Sequence, residues 1–110
     1  PDLVLSLHIN KNNNSASSGF EAYVSDESIA YKKSNELAEK LVSFFEKNLP
    51  LNNRGVKKAP FMIMKKSKVP AITIEIGFIS NENDRSYITD ENGQAQIAQT
   101  ILNFINELKS

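Results

Sequence analysis

The sequence predicts an α/β protein in which helices are layered on a sheet, and three observations carry that reading. Short apolar or β-branched segments alternate with longer helical ones. The run AITIEI, Ala71 to Ile76, is β-branched and bounded by Pro70 and Gly77, which marks a strand. The stretches from Ser25 to Pro50 and from Asn92 to Lys109 repeat apolar residues at helical spacing with charged residues between them.

The elements follow in order along the chain. Leu3, Val4, Leu5 and Leu7 make a short apolar run around Ser6, suited to a buried strand of a parallel sheet. The segment NKNNNSASSG is rich in turn formers and reads as a loop. Phe20 to Val24 alternates as a second strand, with Glu21 facing water. Ser25 or Asp26 then caps a helix carrying Ile29, Leu37, Leu41, Phe44 and Phe45, and Pro50 stops it. LNNRG reads as a loop in which Gly55 supplies a backbone shape other residues resist. Phe61 to Met64 reads as the third strand and KKSKVP as a basic turn before AITIEI. Ser80 or Asn81 caps one or two helical turns. The last helix places Ile97, Ala98, Ile101, Leu102, Ile105 and Leu108 on one face.

Composition narrows the function classes. The chain has 110 residues, room for one domain with one modest core. Thirteen basic residues balance thirteen acidic ones, so nothing in the net charge calls for nucleic acid or an anionic membrane surface. No apolar run approaches the roughly 20 residues that span a bilayer. The absence of cysteine excludes disulfides, thiolate metal sites and thiol nucleophiles.

Two residues stand out chemically. His8, the single histidine, falls just after the first strand, and Glu75 falls near the end of AITIEI. In open α/β sheets, sites collect at the carboxyl ends of strands, so the two share a crevice if their strands are neighbours. A carboxylate between Ile74 and Ile76 is costly to ionise unless it is paired or bound. Lys65 or Lys66 could pair with it; a metal or a proton-transfer role would also compensate. His8 is either a hydrogen-bonded structural residue or a ligand, and the residues alone leave that open.

Three blocks then carry a resemblance: SLHIN (Ser6 to Asn10), NRGVKKAPFMIM (Asn53 to Met64) and PAITIEIGFISNENDRSYIT (Pro70 to Thr89). In this order and spacing the chain resembles the zinc-dependent N-acetylmuramoyl-L-alanine amidases of the Amidase_3 type. The resemblance implies a mixed, mainly parallel sheet covered by helices on both faces. It implies a Zn2+ cofactor with His8 as one metal ligand and Glu75 as the catalytic carboxylate. Asn10 would hold or orient the His8 loop. Arg54 would contact a peptide carboxylate or form a structural ion pair. The implied substrate and partner is peptidoglycan, cut at the lactyl–L-alanine amide. The implied setting is secreted or at the cell wall, as in autolysins, or phage-encoded, as in endolysins.

The resemblance is incomplete. In the family a first histidine and a ligand glutamate precede the SLHIN block, and here only five residues precede Ser6. Residues 1–110 therefore read as one domain, the C-terminal portion of an amidase catalytic domain. The chain alone is expected to hold zinc weakly and to lack activity. The alternative to the enzyme is a non-catalytic remnant that binds cell wall.

Overall fold

A computed structural model describes residues 2–59 and 61–109, with Ile63 described by its backbone alone. Strands β1 (Val4–Asn10), β2 (Phe20–Val24), β3 (Asn53–Lys58) and β4 (Ala71–Phe78) form one sheet in the order β1-β4-β2-β3. β1 runs parallel to β4 and β3 parallel to β2, while β2 and β4 pair antiparallel. The sheet is therefore mixed and mainly parallel, as expected. It is flanked by α1 (Tyr31–Asn48), α2 (Met62–Lys65), α3 (Glu82–Ile88) and α4 (Glu91–Lys109).

Alternation along the strands gives the sheet two unlike faces. One is apolar: Ile72, Ile74 and Ile76 of β4 join Phe20, Ala22 and Val24 of β2 in the core. The long helices pack there, α1 through Leu37, Leu41 and Phe45, and α4 through Ile97 and Phe104. The other face carries Ser6, His8, Glu21, Tyr23, Thr73 and Glu75, and its described helical cover is the single turn α2. That turn touches the sheet where the Thr73 hydroxyl donates to Met64 Sδ at 3.4 Å. Close by, Phe61 meets the Tyr23 ring at 5.5 Å between centroids. The unequal cover leaves one polar sheet face accessible.

Two strand assignments differ from the sequence reading. The third strand is Asn53–Lys58, not Phe61 to Met64. NRGVKK has one apolar side chain and lies at a sheet edge, so the pairing with β2 orders it rather than burial. Gly55 has φ +85°, the left-handed shape expected of it, but within this strand. Phe61 to Met64 is instead the N-cap and body of α2, from which Met64 packs down on the polar face.

The helices also differ in detail. α1 begins at Tyr31 with no side-chain cap, later than Ser25 or Asp26 suggest. Ser25 and Ser28 bind their own backbone two residues on, at Glu27 N (3.3 Å) and Ala30 N (3.0 Å), and hold this stretch in turns. Ile29 is left outside the helix and exposed. On α4 the buried side turns on Ile97, Thr100 and Phe104, while Leu102 and Leu108 are exposed. Leu7 and Ile9 of the edge strand β1 are likewise open. Gly93 lets α4 approach α3: a Cβ there would lie 2.0 Å from Tyr87 O.

Asp84 ties the Asn-rich loop to the sheet. Its carboxylate is 1% exposed and accepts from Ser18 Oγ (2.8 Å), Gly19 N (2.8 Å) and Phe78 N (3.0 Å). Asn81 caps α3 by accepting from Asp84 N at 3.0 Å and donates to Ser15 O at 2.9 Å. Ser80 Oγ accepts from Asn12 N at 3.1 Å. The loop read as a solvated linker is thus a sequence of Asx turns docked on the start of α3.

Replacing Asp84 by Ala strands two buried backbone N–H groups. The expected loss is about 2–4 kcal/mol of unfolding free energy, measured by urea denaturation. A loss within experimental error contradicts this tether.

Candidate active site

Strand register builds the site. His8 on β1 lies opposite Glu75 on β4, and Glu75 lies opposite Glu21 on β2. Directly opposed residues share a face with Cβ atoms about 5 Å apart. One imidazole and two carboxylates therefore form a row across three strands on the polar face. Ser6, Thr73 and Tyr23 form the adjacent row. Beyond His8 the register shifts, so that Asn10 pairs with Phe78 and β4 carries one extra residue. This bulge takes Phe78 out of the main core and under Arg54, with Cζ 4.9 Å from the ring centre.

Glu21 is the hub of the polar face. It is 3% exposed, which corrects the expectation that it faces water. Oε1 accepts from Tyr23 OH at 2.6 Å and Asn10 Nδ2 at 3.2 Å. Oε2 accepts from Lys57 Nζ at 2.8 Å and Arg54 Nε at 3.2 Å. Burial pushes the carboxyl up, but the bonds from Lys57, Tyr23 and Arg54 together outweigh it and hold Glu21 below the usual carboxylate range. Tyr23 shifts the opposite way. Burial, then its bond to the Glu21 anion, pushes the phenol far above its ordinary value and keeps it a donor.

Glu75 is partly buried and lacks such a set of donors. Burial pushes its carboxyl up; the facing His8 pulls it back in part, and the charge of Glu21 adds to the rise. Lys65 does not compensate it, since that amine pairs with Glu27 at 3.6 Å. A carboxylate of raised basicity on an open face can accept a proton from a small molecule beside it.

The four residues singled out in the sequence fall into two groups. His8 and Glu75 stand side by side near the carboxyl ends of parallel neighbours. Asn10 and Arg54 turn instead to Glu21, so Asn10 orients that carboxylate and not the imidazole. Glu21 is the site residue that the sequence pattern does not single out. The local signal is Tyr23 two residues on in FEAYV; the cations of NRGVKK lie 33 and 36 residues further along.

The donor set for a metal is short. Among the described residues, no group of three or more His, Cys, Asp or Glu side chains gathers where an ion could sit. A catalytic zinc takes three protein ligands. One imidazole and one neighbouring carboxylate do not make that set, so the described residues do not hold zinc by themselves.

Known proteins resemble the chain along most of its length. The family model Amidase_3, N-acetylmuramoyl-L-alanine amidase, matches residues 1–107. The chain is 37% identical over 100 residues to the N-acetylmuramoyl-L-alanine amidase LytC of Bacillus subtilis, covering 91% of this chain and 20% of that protein. It is 33% identical over 105 residues to YqiI of the same organism, covering 96% of this chain and 50% of that protein. The chain thus spans half or less of these curated relatives. Among solved structures, an N-acetylmuramoyl-L-alanine amidase of Clostridium difficile 630 superposes with TM-score 0.89 at 29% identity, over 99% of this chain and 59% of that one. The catalytic domain of CwlV, an amidase from Bacillus (Paenibacillus) polymyxa var. colistinus, gives 0.84 at 28% identity, over 97% and 57%.

Linkage gives a test of the Glu75 environment. A carboxyl raised in the folded state contributes stability below its unfolded value of 4.5 and loses it as pH rises through the folded value. Glu75→Gln should therefore stabilise the fold against urea at neutral pH, with the advantage vanishing below pH 4.5. An equal difference at both pH values contradicts the assignment.

Proposed function

Because the chain belongs to the Amidase_3 family of N-acetylmuramoyl-L-alanine amidases, we propose that it carries part of the active site of a peptidoglycan amidase cutting the lactyl–L-alanine bond. The observation that carries this is the register pair His8–Glu75 on an open polar sheet face, within a chain matched by the family along residues 1–107. The relatives and structural neighbours named as amidases favour this reading over a non-catalytic wall-binding remnant.

Amide hydrolysis needs a base for water and an acid for the departing amine. Glu75 does both in turn. It takes a proton from the water that adds to the lactyl carbonyl carbon. When the C–N bond breaks, it returns that proton to the nitrogen of L-alanine. Its burial beside Glu21 suits the first step, since a destabilised carboxylate is the stronger proton acceptor. Zinc is the metal this reading carries, with His8 as one donor. A full set needs further donors, so the residues described here account for the base and its setting and not for the metal's share.

Tyr23, Asn10, Arg54 and Lys57 support the reaction through Glu21. By holding it ionised they keep a negative charge one strand away from Glu75. On this reading the protein acts at the cell wall, as a secreted enzyme or a phage-encoded one. No helix among the described residues is long and apolar enough to cross a membrane.

The test is a digest of purified peptidoglycan with the natural-length protein, assayed for newly exposed L-alanine amines. Release is expected, and Glu75→Gln should slow it on the order of 10²–10⁴-fold. Exposure of other peptide ends only, or full activity in the variant, overturns the proposal.

A further inference from the structure

Arg54 is held on two sides and left open on a third. Nε is bonded to Glu21 Oε2 at 3.2 Å, and the guanidinium lies over the Phe78 ring with Cζ 4.9 Å from its centre. These contacts fix both the position and the plane of the group. Nη1 and Nη2 donate no bond among the described residues, and the side chain is 34% exposed. Among the described residues the protein hydrogen-bonds this guanidinium through Nε alone.

Lys57 adds to the same field. Its amine sits on the same Glu21 oxygen at 2.8 Å, so one buried carboxylate carries two cations and the group is left one charge positive. The Lys57 side chain is also 42% exposed. A planar anion arriving beside Arg54 meets two parallel N–H donors with an ammonium close by, the arrangement that recognises a carboxylate bidentately.

Resting on the amidase reading above, we propose that Arg54, seconded by Lys57, is a specificity residue that binds a free carboxylate of the peptide stem. The chemistry of the substrate selects the stem. The muramoyl carboxyl is consumed in the amide being cut, so the free carboxylates on that side of the molecule belong to the peptide. The reach agrees. The guanidinium lies on the Glu21 carboxylate and over Phe78 of β4, and Glu21 is the direct neighbour of Glu75 across one strand spacing of ~4.8 Å, so a carboxylate near the start of the stem comes within its range.

The test uses the natural-length protein and two synthetic muramoyl-peptides, one with its stem carboxylates free and one with them converted to amides. The wild type should prefer the free acid in kcat/KM, mainly through KM. Arg54→Lys keeps a cation on Glu21 but loses the fork, and should narrow that preference about tenfold. An unchanged preference in the variant, or none in the wild type, overturns the carboxylate subsite while leaving the amidase reading intact. Absence of wild-type turnover on both substrates overturns both. Should the variant lose turnover, calorimetric binding of the stem peptide, acid against amide, reads the same ratio; an equal ratio in variant and wild type counts against Arg54.

Discussion

The polar face of this sheet depends on one ionised carboxylate. Glu21 is 3% exposed, and an anion removed from water to that degree is tolerated only when its oxygens are saturated by donors. Four donors meet it, from three strands: Asn10 on β1, Tyr23 on β2, and Arg54 and Lys57 on β3. Each contact fixes more than a side chain. The bond from Asn10 reaches across β4 and sets where β1 ends. The two cations tether an edge strand that has little apolar surface of its own. Among the described residues, no buried side-chain nitrogen or oxygen is left without a partner, so the network is complete.

What Glu21 receives, Glu75 is denied. The two carboxylates face each other across adjacent strands, and the donors go to one of them. One carboxyl is therefore held below its usual range and the other pushed above it. Environments that drive two like groups apart are how a fold assigns a spectator and a base to neighbouring positions. The apolar face, packed under α1 and α4, keeps the strands in the register that makes this opposition possible. The bulge in β4 and the Asp84 tether then bring Phe78 and the Asn-rich loop to the rim.

Much of this was legible in the sequence where burial and period agree. AITIEI, FEAYV and the two long helices declare themselves by pattern, and His8 and Glu75 by being polar at the ends of apolar runs. The misreadings share a cause. β3 looks like a loop because Arg54 and Lys57 are there to serve Glu21, not to fill a core. Phe61 to Met64 looks like a strand because its apolar residues are consecutive, though the segment folds as a helical turn from which Met64 meets Thr73 and Phe61 meets Tyr23. Glu21 looks solvated because three of its four partners lie 11 to 36 residues away, where no local pattern records them. Pattern reports how a residue meets its neighbours in the chain; a buried charge is explained only by residues the fold brings from elsewhere.

The most direct test of this account is an NMR titration of the Glu21 side-chain carboxyl carbon in the folded protein. The account predicts that it titrates below the ordinary value of 4.5, the mark of an anion held by its donors. Titration at or above that value would mean the four contacts do not overcome burial, and the polar face would need a different organising charge.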